Sequence, residues 1–355
     1  MAQRTEDGWP GRHGLILGKF LPFHAGHRRL IHWAMERCDA LSVIVFSRDA
    51  EPIPGELRAE WVRAECPGVR VVHVVANYPD PWDEESWGWW VQACRRCAPG
   101  ASHLVSAEAY GDELARRMGL EHLRADRTAE PAVSGTEVRT DPLRHWRHVP
   151  AAVRPWLATK VAIVGAESTG KSTLAADLAR MYGTVWTPEY GREYCEMKDT
   201  DTLGPTDLLA IAAGQARLED EAAVRCGGLL FCDTDVMVTR AWSRHLCGMV
   251  HPGILEVERT RRYALHLVTA IGVPWQNDGT RVCGEPGVRE WFHRQFVEEL
   301  AHRGVPHMQL PARRGDALAA ASNVIETIWP GAAALRAAVS AGARPGPDLP
   351  ADPSA

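Results

Sequence analysis

Short apolar, β-branched runs alternate with helical patterns in both halves of the chain, the signature of parallel sheets wrapped by helices. In the first half, residues 15–17, 41–46, 69–75 and 103–106 read as strands. Between them, residues 26–38 set Leu30, Ile31, Ala34 and Cys38 on one face, and 56–65 and 86–97 carry the same helical period. In the second half, 160–164, 229–233 and 264–269 are candidates for buried strands, with helices at 173–182, 206–225 and 288–302. A basic, Trp-containing connector over 142–155, punctuated by Pro142, Pro150 and Pro155, separates the two sets. The expectation is an α/β protein of two domains, 1–150 and 156–338, each with its ligands at the carboxyl ends of the strands. A Gly-, Pro- and Ala-rich tail over 340–355 has the composition of a disordered segment.

The 355 residues suit two domains of roughly 150 residues each. Hydrophobic content of 45% and charged content of 24% are ordinary for a globular chain. No stretch approaches the ~20 apolar residues of a membrane span, and the first residues are polar, so a cytoplasmic protein without membrane insertion is expected. A net charge of −5 offers no overall attraction to a polyanion, which argues against a nucleic-acid partner. Nine cysteines form no framework and fit a reducing compartment. The lone Cys94-Arg95-Arg96-Cys97 reads as structural thiols on a helix.

Two loops carry the candidate chemistry. Gly165-Ala166-Glu167-Ser168-Thr169-Gly170-Lys171-Ser172-Thr173 lies between an apolar strand and an amphipathic helix and satisfies G-x4-G-K-[ST]. Its glycines let backbone N–H groups wrap a phosphate, Lys171 neutralises β/γ oxygens, and Ser172 is placed to ligate Mg²⁺ beside bound ATP. Downstream, an apolar strand ends in Asp233-Thr234-Asp235. Side chains alternate along a strand, so both carboxylates would face one side, one organising the metal and the other accepting a proton. Asp233 is the expected metal partner of Ser172. The cluster Glu189-Tyr190-Gly191-Arg192-Glu193 reads equally as a ribose site or a solvated helix start. Trp275, Asp278 and Arg281 lie in a turn-rich stretch in which Arg281 could close on a transferring phosphoryl group, though an ordinary polar loop has the same look.

The other loop is Gly18-Lys19-Phe20-Leu21-Pro22-Phe23-His24-Ala25-Gly26-His27. His24 and His27 share the first turn of a helix, where a phosphate is favoured and imidazoles can donate to its oxygens. Lys19 adds a cation. Metal binding is the weaker reading, because no third ligand is near. Ser134-Gly135-Thr136-Glu137-Val138-Arg139 offers two hydroxyls and an arginine, either a second phosphate clamp or a common helix cap.

The run 18–27 resembles the signature of the nucleotidyltransferase superfamily, and Ser134, Thr136 and Arg139 resemble its Ser-x-Thr-x-x-Arg clamp. With a phosphate loop following, the chain resembles the bifunctional NadR type, a nicotinamide-nucleotide adenylyltransferase fused to a ribosylnicotinamide kinase. Residues 106–111, 189–193 and 274–281 support the likeness, which spans about 15–330. The resemblance implies a Rossmann-like nucleotidyltransferase domain followed by a P-loop kinase-like α/β domain. It also implies ATP and Mg²⁺ as cofactors, and nicotinamide riboside and nicotinamide mononucleotide as substrates. The kinase half would phosphorylate the riboside, and the other half would join the mononucleotide to AMP, forming NAD⁺ and pyrophosphate. A cationic nicotinamide favours an aromatic face, for which Trp87 or Trp90 is the candidate.

Two departures bear on this. Only about a dozen residues precede the first strand, so the helix-turn-helix repressor domain of some members, and its DNA binding, are expected to be absent. Around Pro274-Trp275 the family carries extra acids where this chain has Ala270, Gly272, Gln276 and Asn277. Phosphoryl transfer is still expected, since Lys171, Ser172, Asp233, Asp235 and Arg281 are in place. The alternatives are an adenylyltransferase whose kinase half is degenerate or differently specific, and a nucleotide-sensing regulator. A homo-oligomer is left open.

Overall fold

The computed structural model describes residues 11–79, 84–126, 133–198, 202–272 and 286–342. The chain falls into two compact units, Met1–Arg154 and Pro155–Ala355. The first runs β1 (His13–Gly18), α1 (Ala25–Met35), β2 (Ala40–Ser47), α2 (Gly55–Glu65), β3 (Arg70–Val75), α3 (Trp87–Cys97), β4 (His103–Ser106), α4 (Tyr110–Met118), β5 (Glu121–Arg124) and α5 (Gly135–Thr140). Two 3₁₀ turns, Trp146–His148 and Ala151–Val153, follow, and α6 (Arg154–Leu157) leads into the second unit.

The first sheet is parallel throughout, in the order β3-β2-β1-β4-β5. The winding direction therefore reverses between β1 and β4, and the loop after β1 emerges at that switch point, where open α/β sheets place ligands. β1 and β2 are buried almost end to end, which is why they read as continuous apolar runs. Leu15, Leu17, Ile44, Phe46 and Leu104 pack against Tyr78 and the α3 side chains Trp87, Trp90 and Cys94. Each such side chain contributes about 1.5–3 kcal/mol by leaving water.

The second unit runs β6 (Thr159–Val164), α7 (Lys171–Tyr182), β7 (Val185–Thr187), α8 (Tyr190–Lys198), α9 (Pro205–Arg225), β8 (Leu229–Asp233), α10 (Val236–Cys247), α11 (Pro252–Arg259), β9 (Leu265–Val268), α12 (Pro286–His302), β10 (His307–Gln309), α13 (Arg314–Ile328) and α14 (Pro330–Ser340). Its parallel sheet has the order β10-β9-β6-β8-β7. β6 lies between β8 and β9, so the loop after β6 again leaves from a switch point. Both ends of α7 are glycines in the left-handed region, Gly170 at φ 83° and Gly183 at φ 61°. α9 begins with Pro205, and Asp207 Oδ2 accepts from the Gly204 N–H at 2.8 Å.

The α/β expectation with parallel sheets is met. The sequence reading missed the short edge strands β5, β7 and β10, and the helices α4, α10, α11, α13 and α14, while α8 begins inside 189–193, as the helix-start reading of that cluster has it. Among the described residues no helix is long and apolar enough to cross a membrane. Of the 340–355 tail, residues 343–355 lie outside the described residues, as do Trp275, Asp278 and Arg281.

Candidate functional sites

In the first unit the loop after β1 is tied down from both sides. His24 caps α1, its Nδ1 accepting from the Gly26 N–H at 3.1 Å. That bond fixes the neutral tautomer, with the proton on Nε2. The His24 and His27 rings stack at 3.7 Å between centroids. Two imidazolium ions could not lie so close, and both groups are held neutral. Burial, then the nearby His148, pushes His24 down to about 4 against the opposing pull of Glu137. Burial, then His24, holds His27 well below its ordinary value. At neutral pH the pair offers ring N–H donors rather than charges.

The motif at 134–139 meets this loop across more than a hundred residues of sequence. Arg139 Nη1 donates to the Leu21 carbonyl at 2.6 Å. A Cβ on Gly135 would sit 2.7 Å from the same oxygen, so glycine permits the approach. Ser134 is the N-cap of α5 in a capping box: its hydroxyl donates to Glu137 Oε2 at 2.7 Å and accepts from the Glu137 N–H at 3.2 Å. The cap reading and the clamp reading therefore share these residues; Ser134 and Thr136 are both exposed, the Ser134 hydroxyl engaged by Glu137 and the Thr136 hydroxyl 3.5 Å from Arg139.

Behind Lys19 lies a charged cluster that sequence reasoning missed. The Arg58 side chain, 0% exposed, donates to the Lys19 carbonyl at 2.6 Å and to Glu51 at 2.5 Å. Tyr78 donates to the other Glu51 oxygen at 2.6 Å, and its ring lies 5.2 Å from Lys19 Nζ and 4.2 Å from the Arg48 guanidinium. Burial raises the Glu51 carboxyl, but hydrogen bonds from Tyr78, Arg48 and Arg58 outweigh it and hold it below its ordinary value. The signal available in sequence was an arginine on the apolar face of α2 beside Ala59 and Val62.

Trp87 and Trp90 must be reassigned. They are 8% and 4% exposed and belong to the core. Trp90 meets Phe46 edge-on at 5.0 Å and Tyr78 at 5.5 Å, and the Arg117 guanidinium lies 5.4 Å from the Trp87 ring, so both indoles are used in packing. Two further groupings have the connectivity of nucleophile relays: Ser47–His73–Glu56, at 2.7 and 2.8 Å, and Ser106–His122–Asp112, at 3.0 and 2.6 Å. Both serines are buried, so these relays pin strand ends to helices and offer no accessible oxygen.

In the second unit the loop after β6 folds on itself. Gly165, Ser168 and Gly170 take φ of 157°, 57° and 83°. Thr169 Oγ1 donates to the Ala166 carbonyl at 2.8 Å and lies 2.6 Å from Thr269 Oγ1, while Lys171 Nζ donates to the same carbonyl at 3.0 Å. Ser172 donates to Asp233 Oδ2 at 2.5 Å. Asp233 is 1% exposed, and its carboxyl is raised to about 6 by burial and by Glu189, opposed by Lys171, Ser172 and Arg192. Its Oδ1 has no partner among the described residues. A hydroxyl joined to a buried carboxylate with a spare oxygen is a donor pair that fits a hard divalent cation.

Loop residues 165–173 line a cavity of about 370 Å³, within the range of small-molecule sites. Glu189, Arg192 and Gln215 also line it, with Trp242 and Phe292 supplying an apolar wall. Gln215, Arg289 and Phe292 were not singled out in sequence because each lies inside an ordinary helical pattern, Trp242 because its helix α10 was not read, and Thr234 because the acids on either side of it carried the reading. Tyr190 does not line the cavity: its N–H is held by Gln215 Oε1 at 2.9 Å, and its ring fills the space over Gly214, where a Cβ would come within 2.0 Å.

Asp235 also departs from expectation. It is the N-cap of α10, accepting from the Val238 N–H at 3.0 Å, and its other oxygen lies 2.9 Å from His266 Nε2. Both oxygens are engaged and Asp235 does not line the cavity, so it is not available as a proton acceptor.

Residues 160–317 match the model of an AAA domain. The chain is 28% identical over 322 residues to the trifunctional NAD biosynthesis/regulator protein NadR of Escherichia coli (strain K12), covering 84% of this chain and 78% of that protein. It is 28% identical over 316 residues to the protein of the same name from Salmonella typhimurium (strain LT2), covering 82% and 77%. Among solved structures, a NadR protein in complex with NR is similar at a TM-score of 0.71 and 25% identity, over 86% of this chain and 90% of that one. A NadR protein in complex with NAD and AMP-PNP is similar in fold at a TM-score of 0.69 and 24% identity, over 84% and 91%.

Proposed function

Because the chain is a homologue of NadR, we propose that it is a nucleotide-handling transferase of NAD⁺ biosynthesis with two active sites. The second unit transfers the γ-phosphoryl group of ATP to the 5′-hydroxyl of nicotinamide riboside, giving ADP, nicotinamide mononucleotide and a proton. The first unit lets the phosphate of that mononucleotide attack the α-phosphorus of a second ATP, giving NAD⁺ and pyrophosphate. The observation that carries this reading is the Ser172–Asp233 pair beneath a phosphate loop at the wall of a nucleoside-sized cavity.

In the second unit the backbone N–H groups of 165–173 and the α7 N-terminus surround the phosphates, and Lys171 turns from the Ala166 carbonyl to their oxygens. Ser172 and Asp233 would hold Mg²⁺, which supplies charge neutralisation on the β- and γ-phosphates when bound. With Asp235 engaged as a cap, two carboxylates line the cavity, Glu167 within the phosphate loop and Glu189 outside it, and Glu189 takes the proton of the attacking hydroxyl. In the first unit the neutral imidazoles of His24 and His27, with Lys19 and Thr136, donate to the triphosphate as charge develops, and Gly18 and Phe20 shape the turn that admits it. Neither step needs a covalent intermediate, so positioning and charge neutralisation supply the catalysis.

The test is a product assay with ATP, Mg²⁺ and either nicotinamide riboside or its mononucleotide, resolving ADP, pyrophosphate and NAD⁺. NAD⁺ from both substrates is the expected result. NAD⁺ from the mononucleotide alone would refute the kinase half, and NAD⁺ from neither would refute the reading.

A further inference from the structure

Thr234 stands between Asp233, which accepts from Ser172, and the capping Asp235, at φ 78°. A β-branched residue is a rare occupant of the left-handed region, which glycine fills at no steric cost. Thr234 cannot relax locally. Its N–H donates to the Ile163 carbonyl at 3.0 Å, and the next residue is fixed by Val238 and His266. The turn explains the dihedral angle but not the side chain, since glycine would make the same turn more cheaply.

The side chain has a second peculiarity. Thr234 is 3% exposed and lines the cavity, and its Oγ1 has no hydrogen-bond partner among the described residues. A buried hydroxyl without a partner is costly unless a bound group completes it. Strain and an unsatisfied hydroxyl thus coincide at the carboxyl end of β8, next to the carboxylate that faces the phosphate loop. Residues held in this way concentrate at sites where their geometry is used.

We propose that the Thr234 hydroxyl hydrogen-bonds the acceptor's own hydroxyl, the one that is phosphorylated, and holds it in line with the γ-phosphorus. This deepens the kinase reading above and rests on it. Thr234 orients the nucleophile and takes no proton permanently. The Thr234 O–H donates to a lone pair of the acceptor oxygen while the acceptor's own proton passes to Glu189, the new O–P bond forming as the bond from the γ-phosphorus to ADP breaks, and Thr234 is unchanged at the end.

Full-length wild type, Thr234→Gly, Thr234→Val and Thr234→Ser are compared for kcat and KM with nicotinamide riboside, for affinity toward a non-hydrolysable ATP analogue, and for Tm. Glycine relieves the left-handed strain, so its Tm should equal or exceed that of wild type despite the lost methyl. Valine keeps the shape without the oxygen. Both should lower kcat about ten- to a hundredfold, the range for one positioned hydrogen bond in a transition state. Serine should recover most of that loss, and affinity for the ATP analogue should be unchanged in all three. Wild-type kcat in Thr234→Gly or Thr234→Val, or an equal loss in Thr234→Ser, would overturn the proposal. A wild-type protein that binds the ATP analogue but fails to phosphorylate the riboside would instead defeat the kinase reading, and this inference with it.

Discussion

The depressed basicity of His24 makes the first unit acid-sensitive by an amount that can be worked out. In the folded chain the ring titrates at about 4 against an ordinary 6.5, because burial and His148 disfavour the cation. The unfolded chain therefore binds more protons between those values. Stability from this group is fully present above pH 6.5 and is lost as pH falls toward 4. Moving from about pH 7 to about pH 5 costs ~2 kcal/mol from His24 alone, or ~4–8 °C in Tm for a unit of this size. Other groups titrate in the same range, so the comparison must be differential. His24→Asn keeps an N-cap side chain able to accept the Gly26 N–H, yet does not titrate. Calorimetry of the full chain at the two pH values should show wild type losing ~2 kcal/mol more than His24→Asn in the transition that the substitution affects. Parallel losses would refute the claim that His24 is buried and neutral, and with it the view that the pair acts as hydrogen-bond donors. A triphosphate at the same place must pull the ring's basicity back up, so binding of a non-hydrolysable ATP analogue to this unit should take up protons near pH 5.

Other outcomes follow from contacts already described. Lys171→Ala should cut riboside phosphorylation by about two to three orders of magnitude while mononucleotide adenylylation survives, and equal loss of both would contradict two independent sites. Asp233→Asn should abolish kinase turnover, whereas Asp235→Asn, which can still cap α10 through its amide oxygen, should keep it and lower stability by about 1 kcal/mol in urea titrations. Arg58→Met strands Glu51 beside Tyr78 without its guanidinium and should cost about 3 kcal/mol, read by denaturation; an unchanged midpoint would show that the cluster contributes nothing. Gly135→Ala presses a methyl against the Leu21 carbonyl, so adenylyl transfer should fall while kinase activity holds.

The central strands were legible because burial on both faces leaves few polar positions: β1, β2, β6 and β8 are buried along nearly their whole length. β5, β7 and β10 have three or four residues each and partly exposed positions, too short for any period to show. The loops themselves were readable as motifs. What supports them was not, because Arg58 reaches a carbonyl 39 positions away and Arg139 one 118 positions away. The indoles of α3 carried a warning that went unused, since 87, 90 and 94 share one helical face and point inward together.

Asp235 shows most sharply where a local rule gives out. The inference that Asp233 and Asp235 face the same way assumes an extended chain through both residues. The strand instead ends at Asp233, and Thr234 at φ 78° swings the backbone into α10, so Asp235 becomes a cap whose oxygens point away from the cavity. The two carboxylates are separated by one residue and do unrelated work. The hinge between them lines the cavity with an unsatisfied hydroxyl, so the turn that removes Asp235 from the chemistry is also what puts Thr234 at the cavity wall. A substitution that straightened this turn would have to return Asp235 to the site and strip α10 of its cap at once, which ties the stability of that helix to the geometry of the cavity wall.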